Sequence, residues 1–310
     1  MNYLKELSAY RNAAPSVVTL GKFDGVHLGH RLLLSSVLES GRREGLETVV
    51  FTFDVSPQAK LGASQAKSLM TNQERFSVLQ QLGIQTLIEC PFTKEIQMMT
   101  AEAFVREVLL NLLHASKVVV GDDFHFGRGR AGSPEFLQKM AETLPFRVLV
   151  IGKRKDAVTG REISSTWVRE ELLDGQIETV NRLLGEPYFL LGEVVHGRAL
   201  GRTLEIPTIN QIPRPDKLLP PNGVYFSRTR INEKTWDGIT NIGTKPTVNG
   251  EAVTAETHLF DCDEDLYGKT ARVELLRFHR HEQKFSSVQA LKEQMLSDIR
   301  SARDFLTVKL

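Results

Sequence analysis

Along the first half of the chain, apolar residues fall into two alternating kinds of run. Short continuous blocks occur at Val17–Leu20, Thr48–Phe53, Thr86–Glu89, Lys117–Val120 and Arg147–Ile151. Between them, apolar positions recur at helical spacing over Arg31–Glu44, Asn72–Leu82, Ala101–Leu113 and Pro134–Glu142. The blocks have strand length and no polar alternation, which predicts strands buried on both faces. The spaced runs predict amphipathic helices. Strand and helix in strict alternation predict an α/β domain with a parallel sheet. Ligands of such sheets bind beyond the carboxyl ends of the strands. Two more helices are predicted at Trp167–Leu173 and Ile177–Leu184.

The pattern changes at Gly185-Glu186-Pro187. Short β-rich runs follow at Tyr188–Val195, Gly223–Arg230, Thr235–Gly243, Thr254–Asp261 and Thr270–Phe278, separated by Pro and Gly. They predict an antiparallel sandwich or barrel. The chain closes with an amphipathic run from Ser287 to Phe305, in which Val288, Leu291, Met295, Ile299 and Ala302 share a face. That face predicts a terminal helix packed on the second domain, with Ser286 or Ser287 as its cap. The expected domains are residues 1–185 and 186–310.

Composition narrows the class. With 310 residues the chain is long enough for two cores. A hydrophobic content of 41% and a mean hydropathy of −0.20 fit a globular protein. A net charge of +1 gives no footprint for nucleic acid, and no apolar run approaches a membrane span. Neither a nucleic-acid nor a membrane partner is expected. Two isolated cysteines argue against a disulfide framework. The first fifteen residues lack the apolar core of a secretory signal, so the expected location is cytoplasmic. Lys153-Arg154-Lys155 is short enough to be a solvated loop.

The candidate chemistry begins at Gly21-Lys22-Phe23-Asp24-Gly25-Val26-His27-Leu28-Gly29-His30. A strand runs into a glycine-rich turn, and the turn opens a helix. His27 and His30 fall at i and i+3, on one helix face. Free backbone N–H groups and the positive dipole end at a helix start suit phosphate. Two imidazoles there suit charge stabilisation on phosphorus, with Gly29 letting the backbone come close. A zinc site and plain helix capping by polar residues are the other readings of His-x-x-His. The remaining histidines and both cysteines fall into no tetrahedral pattern.

These residues resemble the HxGH signature of adenylyltransferases, in the GxFDGxHxGH form of bacterial bifunctional riboflavin kinase/FAD synthetases. Three more segments fit in order. Ile163–Arg169 is similar to ISSTxxR, Val120–Gly127 to VGxDFxFG, and Pro207-Thr208-Ile209-Asn210 to the PTxN motif of the kinase half. The resemblance implies a Rossmann-like HxGH nucleotidyltransferase domain with a parallel sheet, then an antiparallel β-barrel domain with a terminal helix. It implies adenylylation of FMN to FAD in the first half. His27 and His30 would hold the reacting phosphates. Gly21, Phe23, Gly29, Ser165, Thr166 and Arg169 would bind ATP and its phosphates, and Asp123 the flavin. By their types alone, Phe23 packs, Asp24 shapes the turn and Ser164-Ser165-Thr166 caps a helix. Three positions depart from the family: Ser56 where His is usual, and His125 and Trp167 where Arg is common. Each removes a charged contact, which leaves a slowed transferase or another phosphate acceptor open.

In the second half, the stretch Gly192–Thr203 is rich in glycine and arginine, which suits a polyphosphate and equally suits a bulged hairpin. The resemblance implies that Gly197, Gly201 and Arg202 bind ATP. It implies that Thr208 and Asn210 hold Mg²⁺, and that Arg280 contacts the flavin. Glu256 falls at the family's general base, in Ala255-Glu256-Thr257-His258 before Asp265-Leu266-Tyr267-Gly268. On a strand, Thr254, Glu256 and His258 share one face, which is also how an outward polar face reads. Glu205 stands where glycine is frequent, before Pro207-Thr208. The implied substrates and products are riboflavin, FMN, FAD and ATP. A kinase with a weak or inactive transferase half, and a non-catalytic flavin-binding regulator, remain as alternatives. The sequence leaves the oligomeric state open.

Overall fold

A computed structural model of the chain describes residues 1–54, 67–197, 205–247 and 250–308. The chain divides by packing into two compact units, Met1–Ser165 and Thr166–Leu310.

The first unit is built on six parallel strands: β1 (Asn2–Leu4), β2 (Ser16–Leu20), β3 (Glu47–Phe53), β4 (Thr86–Cys90), β5 (Ala115–Gly121) and β6 (Arg147–Ile151). Their order is β1-β4-β3-β2-β5-β6. The chain moves one way from β2 through β3 to β4, then crosses back to β5. That reversal places a crevice at the carboxyl ends of β2 and β5. Every residue of β2 and β4 is buried, as the continuous apolar blocks predict. Val18, Leu20, Val49, Phe51, Val118 and Val120 join Val105, Val108 and Leu109 in the core.

The helices are α1 (Leu28–Glu44), α2 (Asn72–Leu82), α3 (Lys94–Met98), α4 (Ala101–Ala103, continuing as a π-helix over Phe104–Leu112) and α5 (Pro134–Ala141). Local chemistry sets their ends. Thr71 and Glu74 form a reciprocal capping box on α2, and Gly83 closes it at φ 94°. The π-helical stretch departs from the expected α-helix. Its buried residues, Phe104, Val105, Val108, Leu109 and Leu113, recur every four positions. A wider turn than the α-helix keeps such a repeat on the sheet. The edge strand β1 and the short α3 carry too few apolar positions to be seen in the sequence.

The second unit begins with α6 from Thr166 (Ser165–Leu173) and α7 (Ile177–Leu184). It continues with six antiparallel strands: β7 (Tyr188–Glu193), β8 (Ile209–Gln211), β9 (Gly223–Ile231), β10 (Lys234–Thr247), β11 (Gly250–Leu259) and β12 (Thr270–His281). The order is β7-β12-β9-β10-β11-β8. The sheet curls until its two ends meet. Val195, just past β7, bridges Asn210 on β8. Gln211 Nε2 donates to the carbonyls of Gly192 and Ala271, both at 2.9 Å. The result is a curled half-barrel, within the predicted antiparallel class. Among the described residues it includes β8, too short for a sequence signal.

The terminal helix α8 (Val288–Val308) starts at Ser287, whose hydroxyl accepts from Ala290 N–H at 3.1 Å. Ala302 and Leu306 pack on Val224, Phe226 and Ile239. Val288, expected on the packed face, is 62% exposed: the sheet contact begins farther along the helix. Both cysteines are free, and burial pushes the Cys90 thiol up to about 11.

Candidate functional site

A cleft of about 1360 Å³ opens at the carboxyl ends of β2, β3, β5 and β6. Gly21, Phe23, His27, Gly29, His30, Asp123 and Ser165 all line it. Sequence-distant candidates are thus brought to one place. Thr166 and Arg169 lie beyond Ser165 on α6, in the second unit.

The turn after β2 is strained. Phe23, Gly25 and Val26 all take positive φ, at 49°, 86° and 42°. Only glycine adopts this region cheaply. Phe23 is 1% exposed, and its ring packs 5.2 Å from the His30 ring. Asp24 is buried, and its Oδ1 accepts from Met70 N–H at 3.3 Å. It shapes the turn, as its type predicts. Ser165 Oγ donates to Asp24 O at 2.9 Å, which ties the ISST segment to the same turn.

His27 is the N-cap of α1. Its Nδ1 accepts from His30 N–H at 3.4 Å, so the neutral ring carries its proton on Nε2. The two imidazoles stack with centroids 3.8 Å apart. Burial pulls His27 down to about 4, against the opposing pull of Asp24. Burial, then the neighbouring His27, holds His30 well below the usual histidine range. Both rings are therefore neutral near pH 7. His30 Nδ1 is buried without a hydrogen-bond partner. A Cβ at Gly29 would lie 3.1 Å from the His27 ring. So Gly29 makes room for that imidazole, beyond any backbone approach to phosphate.

The lining of the cleft also carries charge that the motifs do not include. Arg128, Arg130, Lys153, Arg154 and Arg161 line it. Lys153 and Arg154, read as part of a solvated loop, follow β6 to the cleft edge. Lys153 pairs with Glu162 at 3.3 Å and with Asp123 at 3.6 Å. Arg128 and Arg130 sit in a turn in which Gly127 and Gly129 take positive φ. The Gly-Arg-Gly-Arg spacing was the available signal. His125, one of the departures, donates from Nδ1 to Asp123 O at 2.9 Å and lines the cleft. Trp167 is 3% exposed, and its Nε1 donates to Glu171 at 2.8 Å. It is a packing residue. Ser56 lies outside the described residues.

In the second unit, strand register gathers the candidates. Glu256 on β11 stands opposite Asn210 on β8 and opposite Asn241 on β10. Opposed residues point to one face with Cβ atoms about 5 Å apart. Three oxygen-bearing side chains thus form a row across adjacent strands. Asn241, which the sequence reading left without a role, donates to Glu282 at 3.4 Å. A Cβ at Gly197 would lie 2.5 Å from Asn210 Nδ2, so this glycine lets the loop close over the amide. His258 Nδ1 donates to Pro207 O at 2.8 Å, anchoring the Pro207-Thr208 step to β11. Glu205 does adopt φ 61°, and Lys292 pairs with its carboxylate at 2.7 Å. Gly201 and Arg202 lie outside the described residues. Arg280 is held by the buried Asp298 at 2.7 Å.

Among the described residues, no cluster of three or more His, Cys, Asp or Glu could hold a metal ion by itself. The Asn210–Glu256 row with Thr208 offers hard oxygen donors. That set fits Mg²⁺ completed by water and substrate phosphate.

Comparison with known proteins follows the same division. A family model for FAD synthetase matches residues 10–167, and one for riboflavin kinase matches residues 184–306. A bifunctional riboflavin kinase/FMN adenylyltransferase from Escherichia coli K12 is 37% identical over 93% of this chain and 92% of its own. One from Bacillus subtilis 168 is 33% identical over 93% of this chain and 92% of its own. A crystal structure from Streptococcus pneumoniae, described as a macrolide-efflux protein, superposes with a TM-score of 0.85 at 30% identity. It covers 97% of this chain and 98% of that one. In fold, site geometry and sequence, the chain belongs to the bifunctional riboflavin kinase/FMN adenylyltransferase family.

Proposed function

We propose that the second unit phosphorylates riboflavin to FMN with ATP, and that the first adenylylates FMN to FAD with release of pyrophosphate. The observation that carries the two-step reading is the stacked, neutral His27–His30 pair at the start of α1, facing a cleft large enough for two substrates. The departures do not strip that cleft of charge. Trp167 packs internally, His125 braces the loop of Asp123, and Arg128, Arg130, Lys153, Arg154 and Arg161 line the cleft.

In the first unit, a phosphate oxygen of FMN attacks the α-phosphorus of ATP in line, and the bond to pyrophosphate breaks. No covalent intermediate on the protein is needed, so positioning and charge stabilisation do the catalysis. His27, with its proton on Nε2, and His30 donate to phosphate oxygens. The α1 N-terminus adds its dipole. Gly21, Phe23, Gly29 and Ser165 shape the phosphate-side wall; Thr166 and Arg169 are assigned to the same phosphates by the family resemblance. Asp123 faces the flavin. We assign residues 1–185, the first unit together with α6 and α7, to this activity and 186–310 to the kinase.

In the second unit, Glu256 takes the proton of the ribityl 5′ hydroxyl as that oxygen attacks the γ-phosphorus, and ADP leaves. Thr208 and Asn210 would hold Mg²⁺, which neutralises charge on the transferring phosphates. Gly197, Gly201 and Arg202 cover the phosphates. Arg280, oriented by Asp298, contacts the flavin. A cytoplasmic setting is part of this reading; among the described residues, no helix is long and apolar enough to cross a membrane.

The test is chromatography of products from purified protein, riboflavin, ATP and MgCl₂. FMN followed by FAD is expected. FMN that accumulates even when supplied in excess would remove the transferase half of the proposal.

A further inference from the structure

The Gly21–His30 turn is held in a conformation that its own residues oppose. Phe23 and Val26 carry side chains at positive φ, and Val26 is β-branched, the type least suited to that region. Such backbone persists only where its surroundings over-determine it. Part of the bracing arrives from Met70–Arg75, through Met70 N–H to Asp24 and Arg75 Nη1 to Lys22 O at 3.4 Å.

Arg75 is a buried cation that the mechanism above does not use; it is 4% exposed. Its Nη2 donates to Glu89 Oε1 at 2.5 Å and to Asn72 Oδ1 at 3.0 Å. Glu89, on β4, is equally buried and also accepts from the Tyr3 hydroxyl. A buried ion pair is weak support for stability by itself, since desolvation offsets the attraction. What this pair supplies is direction. The planar guanidinium is pinned by Glu89 on one arm and aims the other at the Lys22 carbonyl. An ammonium has no such fork. From Lys22 the packing runs onward in contact. The next residue, Phe23, rests on His30, and His30 stacks on His27.

We propose that Arg75 is a positioning residue for adenylyl transfer. Pinned by Glu89, it fixes the Lys22 peptide and so the placement of both imidazoles. The proposal rests on the adenylyltransferase reading of the first unit.

The experiment compares Arg75→Lys, Arg75→Met and Glu89→Gln in the full chain. It measures kcat and KM for FAD formation per folded chain, riboflavin phosphorylation in the same sample, and the imidazole ¹⁵N resonances of His27 and His30. Arg75→Lys should lower kcat about tenfold and Arg75→Met about a hundredfold, because a misplacement near 1 Å costs rates of that order. KM for ATP and the kinase rate should hold. Glu89→Gln keeps an acceptor for Arg75 and should retain most activity. The imidazole resonances should move in both Arg75 variants. If Arg75→Met does not fold, Arg75→Lys decides. A folded Arg75→Lys chain with unaltered kcat and unmoved resonances overturns the proposal. So does one with a lower melting temperature but unaltered turnover. If the unaltered chain makes no FAD, the adenylyltransferase reading fails, and the resonances still report whether Arg75 sets the turn.

Discussion

In the first unit the candidate groups stand on a turn at the ends of strands; in the second they stand within strands. The turn must be held in place from outside. Phe23 and Val26 are strained, and Met70, Arg75 and Ser165 reach in to brace them. The strand row needs little bracing, because the ladder fixes Asn210, Glu256 and Asn241 by register. The electrostatics differ in the same sense. The first site offers neutral imidazoles at a helix start, in a cleft that cations also line. The second offers a carboxylate and two amides. Attack by a phosphate that is already anionic needs no base, only donors that steady charge. Attack by an alcohol needs a proton acceptor. Under the proposed reading, each site carries the groups that its own nucleophile demands.

Substitutions that silence one site and spare the other sharpen this contrast. Glu256→Gln has the largest expected effect. Loss of a general base should cost riboflavin phosphorylation about 10²–10⁴-fold. FAD formation from added FMN should continue, and a variant that still phosphorylates at the original rate would remove Glu256 from the role of base. His30→Ala should act in reverse, lowering FAD formation about 10²–10³-fold, the usual cost of one lost donor to a developing charge. FMN formation in the same tube is its control.

The pH dependence of stability comes next. His27 is pulled down to about 4 in the fold by burial, against 6.5 for an exposed histidine. Between these values the unfolded chain binds a proton that the native chain does not. Stability of the first unit should therefore be full above pH 6.5 and fall as pH drops towards 4. The loss attributable to His27 is on the order of 3 kcal/mol. Urea unfolding at pH 7 and pH 5 measures it, and His27→Asn should reduce the difference, leaving the part that the buried His30 contributes. An unchanged slope in that variant would mean that His27 is not buried neutral. The smallest effect is expected from Gly197→Ala. Its methyl would meet Asn210 at 2.5 Å, so riboflavin phosphorylation should fall about tenfold by displacement of the amide. Titration with MgCl₂ should show a raised requirement.

Much of the first unit was legible in the sequence. Asn72–Leu82 and, in the second unit, Ile177–Leu184 match the predicted bounds, because helix caps leave local marks; Arg147–Ile151 matches too, although none of its residues is buried. His27 and His30 were legible for the same reason: one turn joins a strand to a helix, and the spacing is local. What stayed hidden depends on distance. Arg75 meets Lys22 across fifty-three positions, and Glu256 meets Asn241 only through strand pairing. Lys153 and Arg154 look like solvated charge until β6 carries them to the cleft. Glu205 marks the opposite limit. Its type argued against a positive φ, yet the fold imposes one, with Lys292 holding its carboxylate. The sequence by itself determined the order of most elements, the change from an α/β to a β-rich half and the strand–turn–helix at Gly21–His30, since periodicity and turn chemistry act over a few residues. Only the tertiary structure decided which charges face the cleft, which glycines yield space to a ring or an amide, and which buried groups brace the strained turn. Those are contacts between segments far apart in the chain, and packing alone brings them together.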